Sequence, residues 1–127
     1  MFVVRKDESQ ILQINISNEY SNDYFLFALS GNGLEEQKLF FATPDYSKSP
    51  RVVFFDITED AVEDVMNGII SIPRPGDLYC AIYNVATETL TIPSDEPIWR
   101  GLFRVYDSST TTNKNTISIN YYGYDPR

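Results

Sequence analysis

The stretch Ile69 to Tyr83, IISIPRPGDLYCAIY, decides the fold class. It reads as a strand, a proline-punctuated turn and a second strand. Pro73 and Pro75 each fix their own φ, and Gly76 admits a left-handed backbone, so the turn is forced at this point. Beyond it Leu78, Cys80 and Ile82 project to one side, and Tyr79, Ala81 and Tyr83 to the other, because side chains alternate along a strand. Both rows are apolar or aromatic, so the reading expects a hairpin whose second strand is covered on both faces, as in the middle of a β-sandwich.

The neighbouring segments repeat this texture. ILQINIS, from Ile11, alternates Leu12, Ile14 and Ile16 against Gln13 and Asn15, the pattern of a half-buried strand. YFLFAL, Tyr24 to Leu29, is apolar on both sides and reads as central. Phe2 to Lys6, Lys38 to Ala42, Arg51 to Ile57, Leu90 to Ile92 and Thr116 to Tyr122 are further short strands. Ile98 to Tyr106, IWRGLFRVY, is the longest clean alternation: Trp99, Gly101, Phe103 and Val105 make one face, with Arg100, Leu102, Arg104 and Tyr106 on the other. Thr58 to Gly68 reads as one short helix, with Thr58 as cap, acids in its first turn and Gly68 at its end. Ala61 with Val65, and Val62 with Met66, would pack it on the sheet edge. The prediction is an all-β, Ig-like antiparallel sandwich of about 8–9 short strands with one short helix, residues 1–127 forming a single domain.

Composition narrows the chemistry. The chain has 127 residues, 43% hydrophobic and 14% aromatic, enough to build a core. Its net charge of −8 argues against nucleic acid as a partner, since binding phosphate needs a basic face. There is no histidine, which removes Ser–His–Asp and Cys–His catalysis and any His-ligated metal. The one cysteine, Cys80, falls in an inward row and reads as a small buried hydrophobe. Gly31-Asn32-Gly33 lacks the Lys-Ser/Thr of a phosphate loop. Asp56, Glu59, Asp60, Glu63 and Asp64 lie close together, but their spacing does not match an EF-hand loop, and they read as a solvated acidic face. No catalytic, cofactor or metal site is assigned. MFVVRKDESQ has too short an apolar run for a signal peptide, and no segment approaches a membrane span, so a cytoplasmic origin without membrane attachment is expected.

Exposed tyrosine and arginine suit an interface. Arg100, Arg104 and Tyr106 on one strand face, with Tyr46 in the loop from Thr43 to Pro50, are the residues expected to make contact. A carbohydrate-binding sandwich module, stacking a surface glycan on an exposed ring, is the alternative.

Gly76-Asp77-Leu78-Tyr79-Cys80 resembles the Gly-x-Tyr-x-Cys run of immunoglobulin-like domains, with a departure: Tyr79 and Cys80 are adjacent, and there is no second cysteine. Over most of its length the chain resembles the small β-sandwich structural proteins of tailed bacteriophages, crAss-like and other phages of Bacteroidetes hosts. The similarity lies in the order ILQINI, YFLFAL, KLFFATPD, RVVFFDIT, IPRPGDLYCAIYN and PIWRGLFRVY. It implies a non-enzymatic virion protein made in the host cytoplasm: an auxiliary capsid (decoration), head-fibre or tail accessory protein. Its partners would be other virion proteins, such as the major capsid protein, or copies of itself. The resemblance carries no active-site residues.

Overall fold

The computed structural model describes residues 1–15, 22–31, 33–45 and 52–107. They form nine strands in two sheets. In chain order these are β1 (Phe2–Arg5), β2 (Ser9–Asn15), β3 (Tyr24–Ser30), β4 (Lys38–Phe41), β5 (Pro44–Asp45), β6 (Val52–Glu59), β7 (Ile69–Ile70), β8 (Gly76–Val85) and β9 (Trp99–Tyr106). One sheet runs β1-β9-β8-β3-β4. The other runs β2-β6-β5, with β7 beside β6. Pairing is antiparallel except for β1 on β9 and β7 on β6.

This is the immunoglobulin arrangement. β2, β6 and β5 take the places of strands B, E and D, and β3, β8 and β9 those of C, F and G; β4 extends the second sheet as C′. The core is the inward row of each strand. Leu12 and Ile14 face Phe25, Phe27 and Leu29 across a layer that includes Val53, Phe55, Ile57, Leu78, Ile82, Phe103 and Val105, all buried. Phe55 meets the rings of Phe25 and Phe27 edge-on, at 5.2 and 5.0 Å between centroids. Edge-to-face contacts match the positive ring edge to the negative face. Cys80 sits in the same cluster.

Three expectations change. First, Ile69 to Tyr83 is not a hairpin. β7 belongs to one sheet and β8 to the other, so the Pro73–Gly76 turn carries the chain across the sandwich. Prolines lack the N–H that a ladder needs, which frees this segment to leave its sheet. Second, Thr58 to Gly68 forms no helix. β6 continues through Glu59 because backbone donors there find sheet partners: Thr58 N–H donates to Gly68, and Glu59 N–H to Glu8. The loop that follows folds back so that Phe41 N–H reaches the Val65 carbonyl, and Val62 is left exposed. Gly68 closes it at φ +74°, where a Cβ would lie 2.8 Å from the Asp56 carbonyl. Third, Leu90 to Ile92 forms no strand: the chain bends at Leu90 and Thr91, where Thr91 N–H donates to the Thr89 carbonyl. The expected last strand, Thr116 to Tyr122, lies outside the described residues.

Candidate functional site

The outer face of the five-stranded sheet gathers the residues of interest. Register sets its layout. Ala28 on β3 lies opposite Ala81 on β8, and Ala81 lies opposite Arg100 on β9. One step along the same face, Tyr79 lies between Ser30 and Leu102; one step the other way, Tyr83 lies beside Leu26. Small side chains at 28 and 81, flanked by larger ones, leave a depression of about 430 Å³. Its lining is mostly apolar, and Ser30, Gln37 and Arg100 add polar groups at the sides.

Coverage of this face is uneven. β3 is buried on both sides, as its sequence implies: Leu26 and Ala28 are as inaccessible as Phe25 and Phe27. β8 is not. Leu78, Cys80 and Ile82 are buried, but Tyr79 is 69% exposed, and Ala81 and Tyr83 are half-buried. The expectation that β8 is covered twice is therefore wrong on its outer side. Apolar character in a strand reports what the side chain is, not whether a second layer lies against it.

Of the expected contact residues, Arg100 lines the depression. Leu102, from the same face, lines it too and is partly exposed. Arg104 and Tyr106 share that face of β9 but lie beyond it, each engaged locally. Arg104 Nε and Nη2 donate to the two Asp77 carboxylate oxygens at 2.7 and 3.1 Å. This pairing raises the Arg104 pKa above its ordinary value, with a hydrogen bond to Tyr106 adding to it. It also holds the Asp77 carboxyl below the usual carboxylate range, outweighing a slight desolvation. Arg5 lies over the Tyr106 ring, 5.3 Å from its centroid. Tyr46 lies outside the described residues. Tyr79 and Tyr83, which the sequence reading put on a covered face, belong to the site.

The acidic residues around β6 separate. Glu59 is buried at 1% exposure rather than solvated. Its Oε1 accepts from Asp7 N–H at 2.8 Å, its Oε2 from Ile72 N–H at 2.8 Å, and Lys6 Nζ lies 3.5 Å away. Glu63 pairs with Lys38 and accepts from Ser71 N–H. Partial burial pushes the Glu63 carboxyl up, but these bonds and the lysine charge together hold it below its ordinary value. Asp64 accepts from Asn67. Among the described residues no group of three or more His, Cys, Asp or Glu side chains is placed to hold a metal ion. Burial pushes the Cys80 thiol far above its ordinary pKa, so it stays protonated.

No protein-family model and no curated protein matches the chain. A solved structure of a glycoside-hydrolase candidate from Bacteroides vulgatus is similar at a TM-score of 0.46 and 9% identity, over 87% of this chain and 17% of that one.

Proposed function

We propose that this domain is a non-enzymatic structural component of a tailed-phage particle, an auxiliary capsid or head-fibre type protein that docks on neighbouring subunits. The observation that carries the reading is the exposed apolar depression on an otherwise regular sheet face, with Tyr79 and Leu102 open to solvent and Arg100 at its side. Interfaces favour this mixture of tyrosine, arginine and aliphatic surface. The phage assignment rests on the similarity of strand order and texture described above. The net charge of −8 suits the outside of a shell better than a lumen facing DNA. Nothing in the site favours catalysis: the chain has no histidine, and its one thiol is buried.

Hydrogen exchange tests the reading. On addition of the other structural proteins from its source, amides of β8 and β9 around Ala81 and Arg100 should gain protection. Protection confined to other surfaces would contradict it.

A carbohydrate-binding module is the second reading, favoured by one feature. The exposed Tyr79 ring borders a concavity that also presents Arg100, Ser30 and Gln37. A glycan panel that finds a ligand lost on Tyr79→Ala would support it.

A further inference from the structure

The depression has the size and charge to select its occupant. Tyr79 and Tyr83 stand two residues to either side of Ala81 on one face, so their Cβ atoms are about 14 Å apart at about 3.4 Å of rise per residue. Only the methyl group of Ala81 rises between them. The neighbours across the sheet at that level are Ala28 and, on the other side, Arg100. The opening therefore suits one large apolar side chain laid over Ala81.

Charge adds direction. The chain holds 18 acidic and 10 basic residues, yet among the described residues that line the depression Arg100 is the one charged side chain. Its partner is Glu96, four residues earlier and 3.3 Å away, and the two side chains are 69% and 87% exposed. Such open pairs are screened by water and hold their geometry weakly. A carboxylate brought in on an apolar anchor can replace Glu96, because the anchor has already met the ordering cost of approach. Arg104, by contrast, is committed to Asp77 through two bonds.

We infer that the depression receives a protein segment in which an aromatic or leucine-sized side chain stands next to a carboxylate. The apolar group lies over Ala81 between Tyr79 and Tyr83, and the carboxylate takes the Arg100 guanidinium from Glu96. The inference rests on the docking reading and adds the chemistry of the partner. The mostly apolar lining favours such a segment over a sugar, whose many hydroxyls need more polar partners than Ser30, Gln37 and Arg100 supply.

Three matched fragments test it: indole-3-propionate, its neutral amide, and tryptamine. Each is titrated into the isotopically labelled full chain at low salt, with amide shifts followed by NMR. The anion should perturb Tyr79, Ala81, Arg100 and Leu102 and bind about three- to fivefold tighter than the amide, as expected for one ion pair at an exposed guanidinium. Tryptamine should bind most weakly. Arg100→Gln should abolish the preference, bringing anion and amide to equal affinity. Glu96→Gln should tighten binding of the anion and leave that of the amide alone, a gain that a purely structural role for either residue would not produce. Equal binding of anion and amide, or a preference that survives Arg100→Gln, would overturn the inference. So would glucuronate binding at the same residues more tightly than indole-3-propionate. These results are separate from assembly: a chain that joins its complex yet shows no charge preference loses this inference and keeps the docking reading.

Discussion

Glu59 holds its carboxylate inside the domain because three donors meet it there. Two backbone N–H groups, from Asp7 and Ile72, and the Lys6 ammonium replace the water it gives up. Asp7 sits at φ +62°, so the turn between β1 and β2 is held in a left-handed conformation by the same contact. Replacing Glu59 with Gln removes the charge and aims an amide NH₂ at a backbone donor. We expect a loss of about 2–4 kcal/mol, measured by urea unfolding, since breaking a buried charge network leaves its partners unsatisfied. A change under about 0.5 kcal/mol, the range of ordinary surface substitutions, would refute this role. The sequence could not single out Glu59 from its four acidic neighbours, because its partners lie 13 and about 50 residues away in the chain. Asp77 makes the opposite case, a surface carboxylate with one strong partner. Its folded pKa is depressed below the ordinary aspartate value of 3.8, so its contribution is present above that value and fades as pH falls through the folded one. The side chains of Asp77 and Arg104 are 45% and 37% exposed, so solvent screens the pair and the effect is small. The stability gap between wild type and Asp77→Asn should therefore close on acidification from about pH 5 to pH 2, in urea titrations at constant ionic strength. A gap that widens would contradict the sign.

At the scale of elements, β9 shows how one residue choice sets a contact between strands. Trp99 and Gly101 share a face, and the bare Gly101 backbone lets the indole fold over it; a Cβ at 101 would come within 2.4 Å of the ring. The ring stacks on Phe2 at 4.4 Å between centroids and 15° between planes, joining β1 to β9. Gly101→Ala should displace the indole, shift its fluorescence to the red and cost about 1 kcal/mol through the lost aromatic pair. Trp99 is the one tryptophan of the chain, so the emission reports this contact alone. Unchanged emission would show that the ring does not depend on Gly101. The strands were legible because period-2 alternation survives in β2, β6 and β9, where one face is buried. The Thr58–Gly68 segment reads as a helix because Ala61 and Val65, and Val62 and Met66, fall four apart between a capping Thr58 and a terminating Gly68. Tertiary partners won: Thr58 and Glu59 find parallel pairing with Ile69 and Ile70, a strand contact that helical spacing does not encode. The Ile69–Tyr83 stretch was correctly divided into two strands. Its pairing was not legible, since a Pro/Gly turn serves a hairpin and a crossing between sheets equally well.

For the molecule as a whole, the sandwich provides a five-stranded platform, with Phe25 to Leu29 of β3 buried and β8 and β9 open on the outer face. The Arg100 and Leu102 part of the proposed docking surface was visible in the alternation of β9. The Tyr79 and Tyr83 part was not, because exposure depends on what lies opposite a face, and a single sequence shows only that the face is apolar. If the depression over Ala81 is where the domain meets its neighbour, filling it should block assembly. Ala81→Arg fills it from an outward-facing, half-buried position and leaves the core row of β8 untouched. Native mass spectrometry of the purified chain mixed with the structural proteins of its source is the most direct test, run in parallel on wild type and Ala81→Arg. The wild type should join a defined complex, and the variant, folded by its amide spectrum, should stay free. A wild type that joins nothing, or a variant that joins as well as the wild type, would rule out docking at this face.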